Sequence, residues 1–181
     1  MNFYISDPHF FHENIIHLCH RPFRDVEEMN NVMADNWNRV VGPDDDVYIV
    51  GDFGYKATSQ ELIKMIKSLN GHKHLIMGNH DRKALNDPEY RACYEDISDI
   101  KEVVDNGVRI VLCHYPIVEW NNFYRESWHF FGHIHNANSM AQSIMANIPK
   151  AVNIGAEYLD YTPRTAKYLM DTRNRLPYTL W

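Results

Sequence analysis

Carboxylate, imidazole and amide side chains recur in this sequence directly after short apolar segments. Asp7 and His9 follow the first such segment, Asn2 to Ser6, and are two positions apart. The same arrangement returns four times, which gives the set Asp7, His9, Asp52, Asn79, His80, His114, His133 and His135. Side chains of these types are ligands of transition-metal ions. One such pair is also typical of a turn before proline, but five repeats predict a site.

The candidate ligands combine imidazole, carboxylate and one amide, and they include no thiolate. This mixture favours Mn²⁺, Fe, Zn²⁺ or Ni²⁺ over a soft metal or an all-oxygen calcium site. Even seven of these eight groups are too many for one ion, and they suit two ions that share a bridging carboxylate. We therefore predict two divalent ions, with Mn²⁺ the first choice.

The elements that must position these side chains follow a β-α-β-α-β order in the first half of the chain. Strands are predicted at 2–6, 47–50 and 74–77, each ending in polar residues. A short helix is predicted at 11–19, and capping boxes at Asp25 and Thr58 predict two longer helices. Right-handed crossovers would bring the strand ends to one edge of a sheet.

The second half contains a hairpin signal, Asp105-Asn106-Gly107, between strands predicted at 101–104 and 108–113. Further strands are predicted at 128–131 and 151–154, and a C-terminal helix is predicted to be capped by Thr162-Pro163. Residues 117–127 and 136–149 are predicted to be loops. Without a repeat or linker, the chain is predicted to be one domain over residues 1–181.

Composition limits the classes of protein to which the chain can belong. Apolar residues make up 45% and charged residues 23%, as in globular proteins, and no apolar run reaches about 18 residues. We expect a cytoplasmic protein that contacts no membrane, because no signal-peptide pattern is present and the three cysteines form no C-x-x-C pair. A net charge of -6 argues against a protein that coats nucleic acid, but metal ions could still attract a phosphate.

The ordered motifs resemble those of the calcineurin-like metallophosphoesterase superfamily between residues 7 and 135. They read Asp7-x-His9, Gly51-Asp52, Gly78-Asn79-His80-Asp81, His114 and Gly132-His133-Ile134-His135. The segments SDPHFFHENII, RPF and VYIVGDFG further resemble small single-domain bacterial and phage phosphoesterases. The resemblance implies an α/β fold, specifically a four-layer α-β-β-α sandwich of two mixed sheets.

The resemblance also implies roles for individual residues. Asp7, His9 and His135 would hold one metal ion, and Asn79, His114 and His133 would hold the other. Asp52 would bridge the two ions. Here Gly51-Asp52 continues into Phe53-Gly54-Tyr55, without the Asp-Arg-Gly segment of phosphoprotein phosphatases, so a phosphoprotein substrate is not expected.

The expected chemistry is hydrolysis by a metal-bridging hydroxide, because paired dications lower the pKa of a shared water. His80 is predicted to be the general acid, since the resemblance does not make it a ligand. Asp81 would either orient His80 or serve as a structural turn residue. His12 and Arg21 would either contact substrate phosphate or lie on the solvated surface.

The sequence thus predicts a phosphodiesterase or phosphatase that acts on a small phosphorylated substrate. Two alternatives remain open, a nuclease that acts on nucleic-acid ends and a non-catalytic metal-binding scaffold. Nucleic acid is the less favoured partner, and the oligomeric state stays open.

Overall fold

The computed structural model describes residues 1–173, so residues 174–181 of the predicted domain lie outside it. The α-helices within the described residues are α1 (Glu13–Leu18), α2 (Val26–Val40), α3 (Ser59–Ser68), α4 (Pro88–Arg91), α5 (Met140–Ala146) and α6 (Ala166–Thr172), and three short 3-10 helices lie at Ala84–Asn86, Phe123–Arg125 and Ala156–Leu159. The strands are β1 (Asn2–Ile5), β2 (Asp46–Ile49), β3 (His72–Ile76), β4 (Asp96–Ser98), β5 (Ile100–Asp105), β6 (Val108–Cys113), β7 (Trp128–Phe131), β8 (Ala151–Asn153) and β9 (Arg164–Thr165). The predicted α/β class is confirmed.

The first sheet has the strand order β4-β3-β2-β1-β9. Strands β1 to β4 are parallel, and β9 pairs antiparallel with β1 at the edge. The predicted alternation of strand and helix is therefore confirmed for the first half of the chain. Because β1, β2 and β3 run in one direction, the residues that follow them meet at one edge of the sheet.

The second sheet has the strand order β5-β6-β7-β8. β5 and β6 form the predicted hairpin, while β6, β7 and β8 are parallel. Asn106 and Gly107 have φ angles of 49° and 83°, the left-handed pair that a two-residue hairpin turn requires. Both sheets are therefore mixed. In each sheet, several parallel strands have their carboxyl ends at the same edge.

Tyr4 of β1 joins the two sheets in the core. Its ring stacks on Tyr48 with centroids 5.3 Å apart and meets the edge of Phe130 of β7, also at 5.3 Å. Its hydroxyl donates to Asp105 at 2.9 Å, which satisfies the buried polar group. Near the strand ends, the Ser6 amide donates to the Ile154 carbonyl at 2.9 Å, which fixes β1 beside the end of β8.

The two long helices form where the capping boxes predict them. Asp25 accepts from the Glu28 amide at the start of α2, and Thr58 forms a reciprocal box with Glu61 at the start of α3. The apolar face of α2 buries Met29, Met33 and Trp37, at the helical spacing that the sequence shows.

Two predictions for the second half are wrong. Residues 136–149, predicted to be a loop, contain α5, and Ser139 caps this helix by accepting from the Gln142 amide. The helix buries Met145 in the core, and this tertiary contact stabilises a segment whose local helix pattern is weak. The C-terminal helix begins at Ala166 with Thr165 as its cap, not at Thr162-Pro163. Arg164–Thr165 pair with β1 in an extended conformation, so the helix can begin only after them.

Candidate metal centre

The ends of five strands bring the predicted ligands to one place. Asp7 and His9 follow β1, Asp52 follows β2, and Asn79 follows β3 in the first sheet. The second sheet contributes His114 after β6, with His133 and His135 after β7. The Asp7 carboxylate joins the two groups, because it accepts from the His133 amide at 2.9 Å.

The donor atoms lie at separations that suit shared ligation of a cation. His9 Nε2 is 3.7 Å from Asp7 Oδ1 and 3.6 Å from Asp52 Oδ2. His135 Nε2 is 3.6 Å from Asp7 Oδ1, and His114 Nε2 is 3.6 Å from Asp52 Oδ2. Two ligands of a tetrahedral ion with bonds of about 2.1 Å are about 3.4 Å apart. Asp52 Oδ2 is thus equally far from His9, a predicted ligand of one ion, and from His114, a predicted ligand of the other.

The chemistry of the donor set fits a cation. Asp7 with His9 and His135 could hold one ion, and Asp7 with Asp52 and His114 could hold another. Asp7 Oδ1 and His9 Nε2 are buried, and within the described residues neither atom has a hydrogen-bond partner. A buried charged oxygen without a partner is costly, and a metal ion at this place would satisfy both atoms.

Hydrogen bonds behind the rings aim the Nε2 atoms of three histidines into the centre. His114 Nδ1 lies 3.0 Å from the Val50 carbonyl, so it carries the proton, and Nε2 faces the Asn79 amide oxygen at 3.2 Å. His135 Nδ1 is 3.2 Å from Glu157 Oε1, and His9 Nδ1 is 3.3 Å from His12 Nδ1. Partners of this kind fix the tautomer and the orientation of metal-binding histidines.

Burial and charge act in opposite directions on the ionisable groups of the centre. Burial on its own raises the pKa of Asp7, but His135 and His9 outweigh it and hold that pKa well below its ordinary value. Burial lowers the pKa of His135, but the carboxylates of Asp7 and Glu157 outweigh it and raise it to about 11. Burial lowers the pKa of His9 and of His133. A cation beside Asp7 would therefore take the place of the His135 proton.

The backbone of the ligand loops is left-handed at non-glycine residues. The φ angles lie between 47° and 68° at Asp7, His9, Asp52, His133 and His135. This region is sparsely populated by residues with a Cβ atom, and each such residue carries conformational strain. Concentration of strain at five of the seven predicted ligands is typical of a functional site.

Three glycines precede these ligands because the loops pack too closely for a Cβ atom. At Gly51 the Cβ would overlap the His114 ring, and at Gly78 it would overlap the Asp52 carboxylate. At Gly132 it would overlap the Ser6 hydroxyl and the Asp7 carboxylate. The glycine in each motif is therefore required by close approach of one ligand loop to another.

Asp81 holds two ligand loops together. Of the two roles predicted for it, orienting His80 or stabilising a turn, the contacts match the second. Its buried carboxylate accepts from the amides of Gly78 and Asp52 at 2.8 Å and of Phe53 at 3.0 Å. Burial, together with the nearby Asp52 carboxylate, raises the pKa of Asp81 to about 6. No hydrogen bond joins Asp81 to His80 within residues 1–173.

His80 lies at the mouth of the centre. Its side chain is 34% exposed, and Nε2 is 3.9 Å from Asp52 Oδ2. The ring contacts His9 with centroids 5.6 Å apart and Tyr55 at 4.5 Å. The His80 amide donates to Asp52 Oδ1 at 2.9 Å, which fixes its backbone against a predicted ligand. This position allows contact with both a ligand loop and a molecule entering from solvent.

His12 and Arg21 are not on the surface that a substrate would meet. His12 is buried behind His9, and burial lowers its pKa to about 4. The Arg21 side chain has no exposed surface. Its guanidinium donates to the carbonyls of Asp7 at 2.8 Å and Pro8 at 2.7 Å. The predicted contact of Arg21 with substrate phosphate does not match this position.

Glu157 also lies at the centre, although it is not among the site residues predicted from the sequence. Its carboxylate pairs with Arg21 at 2.7 Å and with His135 at 3.2 Å. Burial raises its pKa, but Arg21 and His135 outweigh burial and lower it to about 2. Glu157 follows β8, so the pattern of a polar residue after a strand could have identified it as a sixth strand end.

No family model matches the chain. It is 35% identical over 162 residues to the uncharacterized protein MJ1445 of Methanocaldococcus jannaschii, which covers 88% of this chain and 83% of that protein. The chain belongs to the MJ1445 family. The gene 66 protein of Mycobacterium phage D29 is 28% identical over 152 residues, covering 69% of this chain and 73% of the phage protein.

The fold recurs in a solved structure. AQ665 of Aquifex aeolicus, described as a protein of unknown function, is similar with a TM-score of 0.73 and 29% identity over 94% of this chain and 98% of that one. A more distant likeness, with a TM-score of 0.47 and 18% identity, is to the nuclease MPE of Pseudomonas putida, over 74% of this chain and 60% of that one. Within residues 1–173, no helix combines the length and apolar character that crossing a bilayer requires.

Proposed function

We propose that this member of the MJ1445 family is a metal-dependent phosphoester hydrolase of the calcineurin-like type, built as a single four-layer α-β-β-α domain. The convergence of carboxylates and imidazoles from both sheets on one centre carries the proposal. Two of the buried side-chain atoms that lack a hydrogen-bond partner within the described residues, Asp7 Oδ1 and His9 Nε2, support it most directly, because a cation would satisfy both.

Two divalent ions, with Mn²⁺ preferred, would be held by the ligands of both sheets. Asp7, His9 and His135 would hold one ion, and Asn79, His114 and His133 would hold the other. Asp52 would contact both, which its equal distances of 3.6 Å from His9 and His114 support. When bound, the ions would supply positive charge to the phosphoryl oxygens and activate a water molecule.

His80 would donate the proton that the leaving oxygen takes up. Partial exposure leaves its ring accessible, while Tyr55 and His9 restrict the directions in which it can turn. Asp81 would be a positioning residue, since it fixes the amides of Gly78 and Asp52 on either side of the centre. The substrate would be a phosphodiester or a small phosphorylated molecule.

A metal-by-substrate screen tests the proposal. Purified protein is stripped of metal, reloaded with Mn²⁺, Ni²⁺, Zn²⁺ or Mg²⁺, and assayed on bis(p-nitrophenyl) phosphate and p-nitrophenyl phosphate. We expect hydrolysis that depends on the metal and is lost in Asp52→Asn, while the surface control Asp99→Asn keeps it. Two bound ions with no hydrolysis under any metal would instead identify a non-catalytic scaffold.

A further inference from the structure

A cleft of about 740 Å³ opens directly beside the candidate metal centre. Residues 54–59 and Leu62 form one wall, and residues 79–80 and 82–84 form the other. Asn79 and His80 belong to both the cleft and the centre, so the two spaces are continuous. A group that extends from the metal centre past His80 would lie in this cleft.

The cleft is lined by cations on a chain whose net charge is -6. Lys56 and Lys83 are exposed at it, and within the described residues neither is paired with a carboxylate. Arg82 also lines the cleft but is paired with Asp99 at 2.9 Å. Two unpaired ammonium groups beside a predicted phosphate site favour a second anion there.

Tyr55 connects the cations of the cleft to the centre. Its ring lies 4.3 Å from the His12 ring and 4.5 Å from the His80 ring, measured between centroids. Lys56 Nζ is 5.6 Å from the centre of the same ring, a cation–π distance. Lys56 is therefore held against the same ring that contacts His80.

We propose that this cleft is a second phosphate subsite that binds an anionic group on the leaving-group side of the substrate. The proposal rests on the proposed function, because His80 defines the side on which the leaving group departs. Lys56 and Lys83 hold the second phosphate, and Tyr55 packs against the atoms that connect it to the reacting phosphate. The substrate class is accordingly an organic phosphate with two or more phosphate groups, such as a nucleotide or a short nucleic-acid strand.

Binding to the Mn²⁺-loaded full chain tests the subsite without depending on turnover. Adenosine 3′,5′-bisphosphate and adenosine 5′-monophosphate are titrated by calorimetry into the wild type, Lys56→Gln/Lys83→Gln and Lys64→Gln. Lys64 is an exposed lysine of α3 that does not line the cleft. We expect the wild type to prefer the bisphosphate about tenfold, and the double variant to lose most of this preference.

The control Lys64→Gln should keep the wild-type preference. An equal preference in wild type and double variant, or the same loss in Lys64→Gln, overturns the subsite. If bis(p-nitrophenyl) phosphate is hydrolysed but the preference does not change, only the subsite fails. If no metal supports hydrolysis but the preference changes as expected, the subsite stands and the proposed hydrolase fails.

A second arm identifies the source of the phosphate. 5′-Phosphorylated deoxyoligonucleotides of two and ten nucleotides are titrated into the same proteins. Equal affinity for the two lengths, lowered alike in the double variant, supports the subsite with a small nucleotide as its ligand. Affinity that rises with length and falls in the double variant supports the subsite with a nucleic-acid strand as its ligand.

Discussion

The buried pair of Arg21 and Glu157 should control both the stability of the fold and the affinity of the centre for metal. The Arg21 side chain is 0% exposed and that of Glu157 is 4% exposed, with the charged atoms 2.7 Å apart. Glu157→Gln keeps the shape of the side chain but leaves the guanidinium without a counter-charge. Breaking a buried pair in this way costs about 3–5 kcal/mol of the free energy of unfolding.

The structure also predicts that Arg21→Met is more harmful than Glu157→Gln. Arg21 donates to the carbonyls of Asp7 and Pro8, so its loss leaves two buried acceptors without partners and also removes the counter-charge of Glu157, which keeps its contact with His135. Each unsatisfied acceptor costs about 1–3 kcal/mol. Asp7 is itself a predicted ligand, and Glu157 orients His135, so both variants should also bind metal about 10–100-fold more weakly.

Urea unfolding of the metal-free proteins gives the stability, and titration of Mn²⁺ into the folded variants gives the affinity. Asp99→Asn is the matched control, because it breaks the exposed pair with Arg82 and should cost less than about 1 kcal/mol. The reasoning is refuted if Glu157→Gln unfolds like this control and binds Mn²⁺ as tightly as the wild type does.

Three further predictions follow from other parts of the structure. His80→Ala should lower turnover about 10²–10⁴-fold while metal analysis still finds two ions, and loss of the ions would make His80 a ligand. Gly132→Ala should lower both the midpoint of thermal unfolding and metal content, because the added Cβ overlaps Ser6 and Asp7; unchanged values would contradict the close packing. Buried His129 accepts from the Ile117 amide at Nε2, and burial lowers its pKa to about 4. Below pH 6.5 the unfolded chain therefore binds a proton that the folded chain does not, so stability should fall by about 3 kcal/mol between pH 6.5 and 4. His129→Gln should reduce this dependence in urea unfolding at stepped pH, and an unaltered slope would contradict it.

The parts of the fold that the sequence predicted depend on local signals. Short apolar runs define the central strands, capping boxes define α2 and α3, and Asn106-Gly107 defines the hairpin turn. The candidate ligands followed from the same local pattern, because parallel strands bring their ends together without further information. The positions of these side chains, although not their roles, could therefore be anticipated from the sequence.

The features that could not be predicted depend on contacts between distant parts of the chain. Arg21 and Glu157 are 136 positions apart, and neither has a local feature that marks the other as its partner. Helix α5 has a weak local pattern and is stabilised by burial of Met145 against the second sheet. The left-handed φ angles of Asp7 and His9 likewise cannot be predicted from the sequence, because aspartate and histidine adopt other conformations in most contexts.

The supports around the centre explain how the ligand loops tolerate this strain. A left-handed residue with a Cβ atom costs about 1–2 kcal/mol, so several of them in adjacent loops need strong compensating contacts. The Arg21 guanidinium supplies two hydrogen bonds to the loop of Asp7, and the Asp81 carboxylate holds the amides of Asp52 and Phe53. Both supports are buried charged groups that bond to the backbone and not to the donor atoms, so the ligand atoms stay free to face one another. The protein thus fixes the loops from behind and leaves to a cation the one interaction that Asp7 Oδ1 and His9 Nε2 still lack.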